Sequence, residues 1–381
     1  MRNRLPIGHN KQREGKKKLL LFHPIIAPYR IDMVNELAVH FDLVLCLSAH
    51  NLKNQKFDID KLYTERLHVN PEYLDEKKYG GRTNILRAAC EAIKKHEPDI
   101  VFVSEFSQIA WIVILYRILH RSQYKIISLV DDSWDMIVHE QSLTNRHALA
   151  RRLAMSFLDQ IVCVDKKVQE WYRHKYGKGV FFPIVSNETA YRERLHRILP
   201  ISDEYVRKYR IQNKKVLLFV GRLYKDKNIS MAIEAFLQAR IPDSLFVIIG
   251  DGEEKEALIN KYGNEESVKL IGRFEGDALY AWYNVAQVLI LPSIREPFGA
   301  VTNEALMAGC RVLLSDVAGS GCLIDESRNG YYISPRDKDA MSVRITESFG
   351  TAMPIELPLH VKQNMMIETF HEYITELVNA I

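Results

Sequence analysis

The residues best suited to chemistry follow two apolar runs in the second half of a 381-residue chain. After Val288-Leu-Ile-Leu291 the sequence continues Pro-Ser-Ile-Arg-Glu296-Pro-Phe298-Gly299-Ala300-Val-Thr-Asn-Glu304. That order spells a strand, a turn shaped by Pro297 and Gly299, and a helix. A helix opening near Ala300 would present the backbone N–H groups of Phe298, Gly299 and Ala300 beside the positive end of its dipole, which suits phosphate or sugar oxygens. Glu296 lies on the approach loop and Glu304 about one turn into the helix, so both carboxylates can face one ligand. Each can accept two hydroxyl hydrogen bonds. A solubility and dipole role for the same two residues fits the local pattern equally well.

The other run, Val216-Leu-Leu-Phe-Val220, leads into Gly221-Arg222-Leu-Tyr-Lys-Asp-Lys227-Asn228 and a second helix. Arg222 offers a bidentate fork and Lys227 a point charge. Fixed at a strand end, the pair could neutralise a departing diphosphate, the electrostatic work a metal ion does elsewhere. Either cation alone reads as a solvated charge at a helix entry; together, in this setting, they favour anion binding.

These loops need strands to hold them. Short β-branched runs alternate with helix-period segments along the whole chain, the pattern of parallel sheets covered by helices on both faces. In the first half the strands are expected at Lys18 to Phe22, Leu43 to Leu47, Ile100 to Val103, Lys125 to Val130 and Gln160 to Val164. The rhythm restarts at Val216 to Val220, Leu245 to Ile249, Val268 to Ile271, Val288 to Leu291 and Arg311 to Leu314. Between the series, Phe181 to Arg210 has Pro183, Pro200, many charges and no clean apolar period, which places a linker there. Met365, Met366, Phe370, Ile374 and Leu377 recur at helical spacing and predict a late helix over 361–381. Two open α/β units in tandem make the cleft between them the natural ligand site.

Length and 47% hydrophobic content fit two folded domains. The five cysteines are odd in number and never spaced as paired metal ligands, which fits a reducing compartment. The apolar run after the basic N-terminus stops at His23, and Ile109 to Leu119 is broken by Arg117, so neither reaches the length of a membrane span. A cytoplasmic protein is expected. Residues 1 to 200 carry 32 Lys/Arg against 23 Asp/Glu and the remainder 20 against 25. The basic half suits anionic lipid head groups, though much of its excess sits in the first 20 residues and is also read as a solvated tail. No basic, aromatic-interleaved motif argues for nucleic acid.

Gly221-Arg222…Lys227-Asn228 together with Glu296-x7-Glu304 resembles glycosyltransferase family 4. The likeness extends through Ile249-Gly-Asp-Gly252-Glu253, Leu270-Ile-Gly-Arg273-Phe274 and Ser315-Asp316, covering roughly residues 214 to 335. It implies the α/β GT-B fold, two Rossmann-like doubly wound domains facing across a cleft. It implies an acceptor domain over 16–195, onto which the C-terminal helix 361–381 packs back, and a nucleotide-sugar donor domain over 196–360. By the same resemblance Glu304 would hold the ribose, Glu296 the donor sugar hydroxyls, and Arg222 with Lys227 the diphosphate. Phe298, Gly299 and Ala300 would add backbone contacts, Gly252 would line the donor site, and Arg273 and Phe274 would flank the base, mostly by main chain. Metal-independent hexosyl transfer with retention, no cofactor, and a glycan or lipid-linked acceptor of capsule, exopolysaccharide or lipopolysaccharide assembly follow from the likeness as expectations.

The first half matches only in rhythm. Where many members have a glycine-rich loop, this chain has His23-Pro-Ile-Ile-Ala-Pro-Tyr29-Arg30, resembling a subset of polysaccharide-assembly members. Tyr29 or Arg30 could meet acceptor or phosphate; a plain helix-start cation is the equal alternative for Arg30. Where many members place a histidine, Asp131-Asp132-Ser-Trp-Asp135 stands instead. Asp131 or Asp132 is read as a partner of an acceptor hydroxyl, with a helix cap or solvated acids equally open. A magnesium-diphosphate role for that string is disfavoured because a β-run precedes it, and no metal is expected. Glu105, past the strand ending at Val103, could touch acceptor but is more simply a surface residue. His23 reads as a loop histidine bonded to backbone and Cys322 as a small packed residue. The rivals are a non-catalytic nucleotide-sugar-binding protein and a nucleotide-sugar epimerase, which would need an acid and a base on two faces of one carbon.

Overall fold

The computed structural model describes residues 15–50, 59–74, 82–132, 134–138, 145–350 and 352–381. Among them, β1 (Lys18–His23), β2 (Asp42–Leu47), β3 (Glu72–Tyr73), β4 (Ile100–Ser104), β5 (Lys125–Val130), β6 (Gln160–Cys163) and β7 (Val180–Phe181) pair in parallel in the order 3-2-1-4-5-6-7. A second parallel sheet has the order 10-9-8-11-12-13, from β8 (Lys215–Val220), β9 (Ser244–Ile249), β10 (Val268–Gly272), β11 (Val288–Leu291), β12 (Arg311–Ser315) and β13 (Gly330–Ile333). The central strands are covered on both faces: Val216 to Phe219 are wholly buried. That is why they read as unbroken apolar runs rather than alternating ones.

In each sheet the chain first winds one way and then reverses. β1 lies between β2 and β4, and β8 lies between β9 and β11. The loops leaving β1 and β4, and likewise those leaving β8 and β11, therefore part in opposite directions and open a crevice at the carboxyl ends of the strands. The four groups of the second half, Arg222, Lys227, Glu296 and Glu304, all follow β8 or β11.

Strands β3, β7 and β13 have no counterpart in the sequence reading. Two of them are two residues long, and β13 is an edge strand paired only with β12. Such elements leave too few residues for a period to register.

The stretch 181–210 is not irregular. It forms the helices Glu188–Arg197 and Leu199–Lys208 back to back. The Asn187 side chain caps the first on the Ala190 N–H, and Pro200 occupies the first turn of the second, where its missing N–H is harmless. Tyr191, Leu195 and Val206 point inward beneath the charges that masked the period.

The late helix is shorter than its apolar spacing suggests, covering Phe370–Ala380. Thr369 and Glu372 form a capping box that fixes its start. Before it, 352–369 runs extended across the second lobe: Ile355 pairs with Asn213 and Lys214, Met365 N–H donates to Leu306 O, and Lys362 Nζ donates to the Tyr283 and Asn284 carbonyls. Met365 and Met366 thus pack as part of a strap, not a helix. The helix itself returns to the first lobe, where Phe370 and Tyr373 meet Phe182 and Phe181 edge-on and Lys125 Nζ donates to Ile381 O.

The crossover after β7 is bonded to both lobes. Asn187 N–H donates to Asp32 of the first lobe and Ser186 N–H to Asn303 of the second, each at 2.9 Å.

Candidate donor site at the second switch point

The loops after β8 and β11 are brought into contact by the adjacency of those strands. Lys227 Nζ lies 2.6 Å from Glu296 Oε2, and Ser293 Oγ donates to the same oxygen at 3.3 Å. Both side chains are about nine-tenths buried. Ile294 N–H donates to Asp226 O, tying the two loops by backbone as well. Asn228, in the left-handed region, anchors the corner by donating to the Pro292 and Pro335 carbonyls. Arg222, on the same loop as Lys227, is exposed, its guanidinium carbon 5.0 Å from the centre of the Tyr224 ring.

Close backbone packing requires glycine here. Gly299 has φ +93°, and a Cβ on it would fall 2.5 Å from Leu291 Cδ2. A Cβ on Gly252 would fall 2.5 Å from Leu223 O, so the loop after β9 packs directly on the one that carries Arg222. Phe298 is buried and its carbonyl accepts from Ser320 N–H, while the helix Val301–Met307 begins immediately after Ala300 with no side chain capping it.

Glu304 lies on that helix. Its Oε2 accepts from Tyr283 OH at 2.7 Å, and its backbone carbonyl accepts from Tyr191 OH. Burial raises the Glu304 carboxyl above the usual carboxylate range, opposed by the Tyr283 bond and by the positive charges of Arg66 and Arg194. Arg66 ends the helix Ile59–Arg66 of the first lobe and is ion-paired with Asp32 there, so its charge acts on this carboxylate through space. Tyr283, Tyr191, Arg66 and Arg194 escaped the sequence reading. The pair Tyr280-x2-Tyr283 one helix before β11 was a usable signal; Arg66 carried none.

Arg273 is exposed and paired with Glu275. The Phe274 ring is turned into an aromatic cluster with Tyr205 and Trp282, leaving main chain as its means of meeting a base. Cys322 contacts Gly319 O, and burial pushes its thiol up to about 12. Asp165 of the first lobe adds to this rise and Lys166 opposes it.

The first lobe assembles its own group at the β1/β4 switch point. Arg30 is buried and ion-paired with Asp131, so it is no free surface cation. Asp132 is also buried, accepting from Tyr172 OH at 3.1 Å and pairing with Arg151 at 3.4 Å. Its carboxylate is turned into the lobe rather than toward a hydroxyl in the cleft. Asp131 remains partly exposed. Glu105 is exposed and adopts φ +50°, a conformation rare for a residue with a side chain. Although the residue as a whole is exposed, desolvation of its carboxyl by surrounding protein, with the neighbouring Asp132 and Asp131, raises that group. Tyr29 is half-buried and its hydroxyl is likewise raised, by burial and Asp131. His23 contacts the Ile25 carbonyl through Nδ1, and burial with Arg30 lowers it to about 4. Ser133 and the Asp135 side chain lie outside the described residues.

Residues 201–350 match the family model described as Glycosyl transferases group 1. The chain is 34% identical over 134 residues to an uncharacterized glycosyltransferase, MJ1607, of Methanocaldococcus jannaschii, covering 34% of each chain. It is 32% identical over 150 residues to the UDP-Gal:alpha-D-GlcNAc-diphosphoundecaprenol alpha-1,3-galactosyltransferase of Escherichia coli, covering 36% of this chain and 38% of that one. The match thus spans about a third of the length of these curated relatives. Over 96% of its length the chain superposes on the whole of Anabaena Alr3699/HepE in complex with UDP, with a TM-score of 0.71 and 16% identity. At that identity the likeness is one of fold: two Rossmann-like lobes in the GT-B arrangement.

Proposed function

We propose, for a chain whose residues 201–350 match the glycosyl transferases group 1 family model, that it moves a hexose from a nucleotide-diphosphate sugar to a glycan or lipid-linked acceptor. The observation that carries this reading is the buried Lys227–Glu296 pair joining the loops after β8 and β11, with Arg222 exposed on the first of those loops and Glu304 on the helix that follows the second. In an unliganded site a Lys–Glu pair keeps both charges compensated. On donor binding each exchanges its partner: Lys227 for a diphosphate oxygen, Glu296 for the hydroxyls of the sugar. Arg222, exposed at the mouth, adds the second positive charge. Glu304, bonded by both Tyr283 and Tyr280, accepts from the ribose hydroxyls by exchanging one of these partners.

Transfer then depends on charge stabilisation. As the bond from the anomeric carbon to phosphate breaks, negative charge grows on the diphosphate, where Lys227 and Arg222 counter it without a metal. The phosphate oxygen so formed can take the acceptor proton on the same face, which yields retention and removes the need for a protein base. The acceptor approaches from the first lobe, past Asp131, Glu105, Tyr29 and Arg30. Arg30 acts there by holding Asp131 rather than as a free cation.

The relatives support a lipid-linked or polysaccharide acceptor only as analogy, since one of them is named for a diphosphoundecaprenol substrate. On that basis we place the protein at the inner face of a membrane, in capsule, exopolysaccharide or lipopolysaccharide synthesis. Among the described residues no helix is long and apolar enough to cross a bilayer, and the placement proposed here is a peripheral one. A thermal-shift screen against UDP-, GDP- and ADP-sugars, followed by donor hydrolysis, tests the reading. Stabilisation by one nucleotide sugar with slow hydrolysis supports it; stabilisation without turnover under any acceptor supports a binding protein instead.

A further inference from the structure

We propose that Asp32, in the first lobe, is a positioning residue for Glu304: it anchors the crossover that holds the Glu304 helix where its carboxylate meets the nucleotide ribose. The inference rests on the donor reading above and adds to that site a residue from the opposite lobe.

The helix Val301–Met307 depends on its neighbours. It has seven residues and no side-chain cap at its start, and a helix that short does not hold itself in water. The crossover supports it from Ser186 to Arg192. Ser186 N–H donates to Asn303 Oδ1 at 2.9 Å, Tyr191 OH to the Glu304 carbonyl at 3.1 Å, and Arg192 Nη1 to the Met307 carbonyl at 2.9 Å. Asn303 and Tyr191 are buried, and hydrogen bonds removed from water hold position strongly.

Asp32 in turn fixes the crossover. Its two oxygens have different partners: Oδ2 accepts from Asn187 N–H at 2.9 Å, and Oδ1 pairs with Arg66 at 3.3 Å. Asn187 caps the helix Glu188–Arg197, its side chain accepting from Ala190 N–H. A shift at Asn187 therefore carries Tyr191 and Arg192 with it. From Asp32 to the Glu304 backbone the path is a carboxylate, one turn of helix and a phenol.

The same helix also reaches the Glu304 side chain. Tyr191 meets the Tyr280 ring edge-on at 5.2 Å, and the Arg194 guanidinium carbon lies 4.5 Å from the centre of that ring. Tyr280 and Tyr283 both bond the Glu304 carboxylate, and Arg66, which Asp32 holds, adds its positive charge through space. Asp32 thus acts on the backbone and on the charge surroundings of Glu304 through other residues.

The experiment uses calorimetry on the full chain with whichever of UDP, GDP or ADP gives the largest thermal shift, and with the 2′,3′-dideoxy form of the same nucleotide. The ratio of the two affinities reports recognition of the ribose hydroxyls and cancels losses common to both ligands. Wild type should prefer the ribose form by at least about tenfold, the worth of a hydrogen bond to a charged acceptor. Glu304→Gln should lose most of that preference. Asp32→Ala and Tyr191→Phe should each cut it about fivefold, the scale on which residues along such a network change a site. Asp32→Asn keeps one acceptor oxygen for the Asn187 N–H and should recover part of the ratio. In the Glu304→Gln background Asp32→Ala should change the ratio no further, because residues acting through one group are not additive.

A full ratio in the isosteric Tyr191→Phe would overturn the proposal even if Asp32→Ala failed to fold, and so would a full ratio in Asp32→Asn and Asp32→Ala alike. A further fivefold loss of the ratio on adding Asp32→Ala to Glu304→Gln would also overturn it, since Asp32 would then act by another route. In each of these cases the loss of preference in Glu304→Gln leaves the donor reading standing. A ratio untouched by Glu304→Gln instead removes Glu304 from the ribose and overturns that reading together with the proposal.

Discussion

Lys227 and Glu296, 69 positions apart, meet at 2.6 Å with their side chains almost wholly removed from water. A compensated pair of this kind keeps two ligand-binding charges in a low-dielectric site before the ligand arrives. Removing either member leaves the other buried and unpaired, which costs more than the pair itself contributes.

Lys227→Met is therefore expected to act twice. Transfer should slow by about 100-fold, the scale of losing one preorganised charge donor, while donor affinity falls less. The unliganded variant should also melt earlier, by about 3 kcal/mol of stability. Steady-state kinetics and thermal unfolding separate the two effects. The double variant Lys227→Met, Glu296→Gln should recover much of the stability and none of the rate.

Glu304→Gln should weaken nucleotide binding about tenfold, since one hydrogen bond to a charged acceptor is lost. Calorimetry with the nucleotide selected by the screen measures this. The pH dependence has a definite sign. The folded carboxyl titrates above its unfolded value because burial favours the proton. Between those two values the native state binds more protons than the unfolded one, so stability falls as pH rises through the interval. Glu304→Gln should remove that fall, visible as a smaller Tm decrease above about pH 4.5.

His23 carries the opposite sign. Its folded value, lowered to about 4 by burial and Arg30, lies below the ordinary histidine value. Stability from keeping the ring neutral is complete above about pH 6.5 and is lost as pH falls toward 4. His23→Gln should flatten this acid limb in denaturant titrations taken between those pH values. An unchanged slope would show that His23 does not set it.

Gly299→Ala should lower Tm and weaken donor binding together. The new Cβ would sit 2.5 Å from Leu291 Cδ2 at φ +93°, and backbone strain of that kind amounts to about 1–3 kcal/mol. The Leu291 methyl can swing aside, whereas the φ strain is relieved by movement of the turn, which carries Glu296, whose Cγ lies 3.3 Å from the same Cβ. A variant that loses stability but binds donor normally would separate the turn from the site.

Much of the site could be read before any coordinates because its parts are local. A strand, a glycine turn and a helix entry fit within about a dozen residues, and Gly221-Arg222…Lys227 and Glu296…Glu304 each fall inside one such unit. The helices in 188–208 were hidden by charges on their outer faces, and the late helix was overextended because Met365 and Met366 share its apolar spacing while belonging to the strap. Periodicity reports which residues seek burial, not the backbone shape that buries them.

The sequence by itself determined two series of buried parallel strands and the identity of the charged residues at their ends. Only tertiary structure decided which of those ends meet. Lys227 finds Glu296 because β8 neighbours β11 and not β10, Arg30 finds Asp131 across β1, β4 and β5, and Arg66 acts on Glu304 from the opposite lobe. Strand order and lobe placement follow from packing between segments far apart in the chain, and such long-range pairings leave no trace in the local pattern of either partner.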